Sequence, residues 1–195
     1  NADAIATRYG VDREGLAVVY NGVDIQRFHP ELRGTQGREL RKQLGIDEPI
    51  ALFAGSGFER KGLDRAILGL ANSGVRATLL VAGNGARESY RELIQHCGLR
   101  ERVRFLGKRS DMPALYAAAD LFVLPTRYDP FASACHEAMA AGVAVATTHS
   151  NGASELIEPG FNGWIGADDF APAFALLSDE ARLREMGRAA RQAAE

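Results

Sequence analysis

An α/β fold, an open parallel sheet with helices on both faces, is what this sequence predicts, on three observations. Short apolar runs of strand length recur near 17–20, 50–54, 77–82, 103–106, 121–124 and 143–147. Helical patterns alternate with them near 36–44, 62–72, 86–97, 111–118 and 131–141, with more near 152–157 and 168–194. Such β/α alternation marks a parallel sheet covered on both faces, a Rossmann-like arrangement. The third observation is size: 195 residues with 46% hydrophobic composition can bury one substantial core, most simply a single domain over residues 1–195.

The first strand candidate, 17–20, precedes Asn21-Gly22-Val23-Asp24, and the polar run Pro30 to Gly37 reads as a mobile, irregular loop. Ile50-Ala51-Leu52-Phe53-Ala54 reads as a buried strand, followed by Gly55-Ser56-Gly57-Phe58-Glu59-Arg60-Lys61-Gly62-Leu63-Asp64 and a helical pattern. Arg60 and Lys61 therefore stand just past the carboxyl end of a strand, the edge at which open parallel sheets bind ligands. A planar fork beside a mobile point charge suits a diphosphate, although an isolated Arg-Lys pair is more commonly a solvated surface feature. The loop fails the competing phosphate motifs: Gly55-x-Gly57 lacks a third glycine, and Leu63 follows Gly57-x4-Gly62 where a P-loop needs Lys. The Ser56 and Gly57 amides can approach an anion, and a plain strand-to-helix turn explains the glycines equally well. Lys108 and Arg109 follow the strand ending at Leu106-Gly107 and read as solvated.

The segment Arg127 to Gly142 carries two carboxylates eight residues apart, Asp129 and Glu137. Asp129 with Pro130 after it reads as an N-cap with proline in the first helical turn, and Gly142 as the C-terminal stop. Glu137 would then lie about two turns in, on the order of 12 Å from Asp129 along the axis. That exceeds the roughly 5 to 9.5 Å between the carboxylates of a glycoside hydrolase. It suits a long ligand whose diphosphate sits at the helix N-terminus. Taken alone, a capping Asp129 and a solvated Glu137 explain the pattern better.

A formal net charge of −2 gives no electrostatic footprint for nucleic acid. Cys97 and Cys135 form no CxxC pair, which points to a reducing, cytoplasmic setting with both thiols packed in helices. No apolar run approaches the roughly 20 residues of a membrane span, and no signal peptide is recognisable. His29, His96, His136 and His149 are scattered without metal-ligand spacing, and His136 reads as structural.

Further short motifs join these: Tyr20-Asn21-Gly22-Val23-Asp24-x3-Phe28, Leu80-Val81-Ala82-Gly83-Asn84-Gly85, Val103-Arg104-Phe105-Leu106-Gly107 and Ala118-Ala119-Asp120-Leu121-Phe122-Val123-Leu124-Pro125. Gly152-x2-Glu155-Leu156-Ile157 and Gly160-Phe161-Asn162-Gly163 complete the series. In their order and spacing they resemble, over nearly the whole chain, the C-terminal, nucleotide-sugar-binding half of retaining glycosyltransferases of family four, which have the two-domain GT-B fold. Within that family the segment Gly55 to Asp64, with Phe58, Arg60-Lys61 and Asp64-Arg65, is most similar to bacterial glucosyltransferases that build the inner core of lipopolysaccharide. The chain departs from the family at two positions: Asp129 stands where Glu is normal, and Ala132 where Gly is usual.

The resemblance implies transfer of a sugar from a nucleoside diphosphate donor, UDP-glucose on the narrower likeness, to an acceptor hydroxyl with retention of configuration. Arg60 and Lys61 would neutralise charge on the departing diphosphate. Asp129 and Pro130, with the backbone N–H groups of Phe131, Ala132 and Ser133, would hold the sugar hydroxyls. Glu137 would accept from the ribose hydroxyls, and Gly55, Ser56, Gly57 and Lys108 would line the remaining donor site. No Asp-x-Asp, the metal-holding motif of the other major glycosyltransferase fold, occurs, so no cofactor or metal is expected.

A fragment excised from a longer chain is also implied, inactive alone. Its missing partner would be an N-terminal acceptor-binding domain, through which a lipid-linked saccharide and the inner membrane would be met. Two readings from other classes stand beside this one: a nucleotide-sugar 2-epimerase domain of related fold, and a non-catalytic nucleotide-binding α/β module if Asp129 marks a decayed site.

Overall fold

The computed structural model describes residues 2–195. Six strands, β1 (Ile50–Ala54), β2 (Thr78–Ala82), β3 (Val103–Gly107), β4 (Leu121–Leu124), β5 (Ala144–Thr148) and β6 (Gly163–Gly166), form one sheet in the order β3-β2-β1-β4-β5-β6, every pair parallel. The register runs from Ile50 opposite Thr78 to Ala54 opposite Ala82, and from Leu121 opposite Ala144 to Leu124 opposite Thr147. β1, β2, β4 and β5 are buried at every position, which is why they read as apolar runs.

The helices are α1 (Ala2–Tyr9), α2 (Gln36–Leu44), α3 (Leu63–Asn72), α4 (Arg91–His96), α5 (Met112–Ala118), α6 (Ser133–Ala140), α7 (Ala171–Ala175) and α8 (Glu180–Ala194). α3 packs with α4 and α7 on one face of the sheet; α2 with α5, and α6 with α8, cover the other. The sandwich closes over one continuous apolar core that runs from Phe28 to Ala194.

The strand expected at 17–20 does not form. The segment pairs with no strand among the described residues, and Val19 is 87% exposed. β-Branched and aromatic residues favour a pleated, half-buried surface, and nothing in this sheet offers one there. β6 is a strand that the sequence hides, because two of its four residues are glycines and no apolar run marks it.

The segment 30–37 is ordered: a 3₁₀ turn over Pro30–Gly34, with His29 Nδ1 accepting from the Glu31 amide at 3.3 Å, leads into α2. The expected helix at 152–157 is a 3₁₀ turn, Gly152–Leu156. The long pattern at 168–194 breaks at Asp179, whose carboxylate accepts from the Arg182 amide at 2.9 Å and starts α8. Cys97 caps the end of α4 and Cys135 is buried within α6; both are free thiols.

Candidate functional site

β1 and β4 are neighbours whose connections leave toward opposite faces, so a crevice opens at their carboxyl ends, the switch point of a doubly wound sheet. The loops that follow these two strands are stitched together there. The Arg60 carbonyl accepts from Thr126 Oγ1 at 3.0 Å and from the Arg127 amide at 2.9 Å. The Arg127 guanidinium grips both oxygens of Asp64, at 3.0 and 2.6 Å. Burial pushes the Asp64 carboxyl up, and the Arg127 fork outweighs it and leaves it below its ordinary value. Gly62 permits the close approach: its φ is +75°, and a Cβ there would lie 2.0 Å from the Pro125 carbonyl oxygen.

The charge centre lies at this seam. Lys61 is only 8% exposed; a Cβ on Gly55 would meet its stem at 3.5 Å, and its ammonium donates to Asp129 Oδ2. Exposed Arg60 donates to the same oxygen at 3.1 Å and to the Tyr128 carbonyl at 2.8 Å. Asp129 Oδ1 accepts from the Phe131 amide at 3.2 Å. Burial raises the Asp129 carboxyl, and the hydrogen bonds from Lys61 and Arg60 more than offset it, so it titrates below its ordinary value. Two cations against one carboxylate leave a net positive centre at the ligand-binding edge.

Asp129 is not the cap of α6. The helix starts at Ser133, with Ala132 at the capping position and no side-chain capping bond. The carboxylate is drawn to the two cations, whose charge-assisted bonds outcompete helix amides. The Asp129 backbone joins the loop after β5, donating to Ser150 O at 3.0 Å and accepting from the Gly152 amide at 2.9 Å. Glu137 is accordingly about one turn into the helix rather than two, so its separation from Asp129 is not a helical length. It accepts the Tyr116 hydroxyl at 2.9 Å; burial and the Glu137 charge push that hydroxyl well above its ordinary value.

Some of the other expected contacts are already engaged. The Ala132 amide donates to Asn151 Oδ1 at 3.1 Å, and the Gly57 amide to Asn84 O at 3.0 Å. Exposed Ser56 has an amide without a protein partner among the described residues. Pro130 and Ser133 are exposed beside the crevice. The half-buried Phe131 ring lies 5.8 Å from His136 and 5.7 Å from Tyr20. His136 Nδ1 meets Asn21 O at 3.0 Å, and the Tyr20 hydroxyl donates to Glu155, so the segment at 20–21 lies over the start of α6. Lys108 is exposed at the carboxyl end of β3, two strands from β1, while Arg109 is forked onto Asp111 at 2.8 and 2.5 Å.

Sequence reasoning missed several positioning residues. Fully buried Asn151 accepts from Ala132 and Ala153 and donates to Thr147 Oγ1 at 3.0 Å and Cys135 Sγ at 3.2 Å, tying β5 to the start of α6. Its only signal was the Asn-Gly turn dipeptide. Thr126 and Tyr116 had none, since periodicity marks apolar faces and not the hydroxyls upon them. Burial pushes the Cys135 thiol up to about 12, although Asn151 eases it, and that makes it a poor nucleophile. Among the described residues no cluster of His, Cys, Asp and Glu could hold a metal, and no helix is long and apolar enough to cross a membrane.

Residues 36–193 match the family model described as Glycosyl transferases group 1, and the chain belongs to that family. The lipopolysaccharide core biosynthesis mannosyltransferase LpsB of Rhizobium meliloti is 33% identical over 186 residues, 85% of this chain and 52% of LpsB. Anabaena HepE, solved in complex with UDP, superposes with a TM-score of 0.87 at 28% identity, covering 96% of this chain and 55% of HepE. WaaG, a glycosyltransferase involved in lipopolysaccharide biosynthesis, superposes at 0.86 with 26% identity, covering 98% of this chain and 55% of WaaG. The chain spans about half the length of the curated relatives it matches. The family resemblance and the open parallel sheet read from the sequence both hold.

Proposed function

We propose that this member of the glycosyl transferases group 1 family is the donor-binding half, one domain over residues 1–195, of a longer two-domain retaining hexosyltransferase. The donor is UDP-glucose and the setting lipopolysaccharide core assembly, with a lipid-linked saccharide bound by the other half. The observation that carries the reading is the knot of Arg60, Lys61 and Asp129 at the switch point of the sheet. HepE, similar over nearly the whole of this chain, has been solved with UDP and with UDP-glucose, which supports the donor class.

Arg60 and Lys61 would face the diphosphate and neutralise the charge that grows as it leaves, a task that requires no metal ion. Asp129 keeps Lys61 in place. Of about four lone-pair sites on a carboxylate, Lys61, Arg60 and the Phe131 amide occupy three, which leaves one for a sugar hydroxyl. Being one methylene shorter than Glu, Asp129 stays close to the cations. Glu137, oriented by Tyr116, would take the ribose hydroxyls. Ser56 and Ser133 line the sugar and phosphate side, and Lys108 lies toward the base.

The test is product analysis with the full-length polypeptide, UDP-glucose, a core saccharide acceptor and a chelator. A glucosylated acceptor with retained anomeric configuration is expected; a free epimer, or no product, would overturn the reading. LpsB being a mannosyltransferase, and a Mycobacterium tuberculosis relative 33% identical over 190 residues being named GDP-mannose-dependent, favour GDP-mannose as the alternative donor, and the same assay with that donor discriminates.

A further inference from the structure

At the opposite, amino edge of the sheet a groove of about 780 Å³ opens between the Pro30–Gly34 turn, α2, the end of α5 and the first half of α8. That is the size of a small-molecule site, roughly 300 to 1,000 Å³. Five arginines line it, Arg33, Arg38, Arg41, Arg184 and Arg188, against the acids Asp47, Asp120 and Glu180. Five minus three is a local balance of +2, in a chain whose net charge is −2.

The arginines are not equivalent. Arg33 is fixed by Asp120 and by Ala119 O at 2.7 Å, and Arg41 by Asp120, by Ala118 O at 2.8 Å and by Glu48 O at 3.3 Å. A guanidinium has five N–H groups, so this immobile wall retains unspent donors. Arg184 is paired with Glu180 along α8 at 2.5 Å. Exposed Arg38 on α2 and exposed Arg188 on α8 have neither an ion pair nor a hydrogen bond among the described residues, and they stand on two different helices of the groove. One unpaired surface arginine is a solvated charge. Two of them over a nucleotide-sized cavity, beside a wall of immobilised guanidinium groups, form a set of forks suited to phosphate oxygens.

We propose that this groove is a second anion site, separate from the switch-point crevice, for a ligand carrying two phosphate charges. That chemistry is shared by a soluble phosphorylated compound and by the headgroups of an anionic lipid. The proposal does not depend on the donor reading.

Calorimetric titration of inorganic pyrophosphate into the wild type, Arg60→Ala and the double variant Arg38→Ala/Arg188→Ala tests it. The altered side chains in the double variant are exposed and unpaired, so folding is retained. The wild type should show two sites, of which Arg60→Ala removes only the crevice site and the double variant weakens only the groove site, by at least about tenfold. If the donor reading alone fails, Arg60→Ala titrates like the wild type while the double variant still loses binding. Co-sedimentation with vesicles separates the sources. Retention on phosphatidylglycerol vesicles but not on phosphatidylcholine vesicles, lost in the double variant, assigns a lipid; pyrophosphate binding without retention assigns a soluble compound. A double variant that binds pyrophosphate as the wild type does, or a wild type with only the site that Arg60→Ala removes, would overturn the proposal.

Discussion

Asp120 and Asp129 each hold two cations, at opposite edges of one sheet. Asp120 sits just before β4, where Arg33 and Arg41 take its two oxygens and the Ile50 amide donates at 2.8 Å. Both arginines also cap carbonyls at the end of α5, so this knot fastens the Pro30–Gly34 turn, α2, α5 and the starts of β1 and β4. Asp129 sits beyond the end of β4 and fastens two loops, with an exposed Arg60 beside a buried Lys61. An ion pair therefore does not mark a site by itself. Position adds what the pair lacks: at the carboxyl edge the connections diverge and open the switch-point crevice.

The largest contrast should appear in stability. Asp120→Ala leaves two guanidinium groups and an amide without their acceptor, so thermal melts should show a loss of about 3 to 5 kcal/mol. UDP affinity of the switch-point crevice in the folded fraction should be unchanged; a fall in that affinity would erase the distinction between the knots.

Glu137→Ala should weaken UDP binding by about 1.5 to 3 kcal/mol in calorimetry, the cost of a truncated charge-assisted hydrogen bond. Tyr116→Phe, which removes only the hydroxyl that orients Glu137, should leave affinity within about threefold, roughly 0.7 kcal/mol. Equal losses in the two variants would make Glu137 a packing residue.

Asp129→Asn should divide binding from transfer. Removing the anion that competes for Arg60 and Lys61 should tighten UDP about fivefold, roughly 1 kcal/mol. Turnover of the full-length enzyme should fall at least about tenfold, roughly 1.4 kcal/mol of transition-state stabilisation. Unchanged UDP binding together with unchanged turnover would remove Asp129 from the site.

The smallest effect is one of pH. The folded Asp129 carboxyl titrates below its unfolded value, so its contribution to stability is complete above about pH 3.9 and is lost as pH falls through the lower, folded value. An acid titration of Tm should therefore be flatter for Asp129→Asn than for the wild type in that window. Superimposed curves would show that the pairing contributes nothing to stability.

What the sequence disclosed follows from the same contrast. Strands buried on both faces betray themselves as apolar runs, so β1, β2, β4 and β5 were legible within a residue. Arg60 and Lys61 were legible because they follow such a run directly. The role of Asp129 was not. Asp-Pro ahead of a helical pattern is a local capping signal, and the partners that override it lie 68 and 69 residues away in the chain. Asn151 and Thr126 were hidden for the same reason, their bonds being made between separate loops. The Val18-Val19-Tyr20 run misled in the other direction, since propensity names a suitable surface without supplying a partner for it.

One titration separates the two knots most directly: UDP, with a chelator present, into the wild type, Arg60→Ala and Arg33→Ala. The exposed Arg60 side chain should be lost at the expense of binding, with affinity falling at least about tenfold, roughly 1.4 kcal/mol. Arg33→Ala, which loosens the Asp120 knot, should melt earlier and yet bind UDP at the switch-point crevice like the wild type. Unchanged affinity in Arg60→Ala, or no metal-free binding by the wild type, would contradict the assignment of the switch-point knot to the nucleotide.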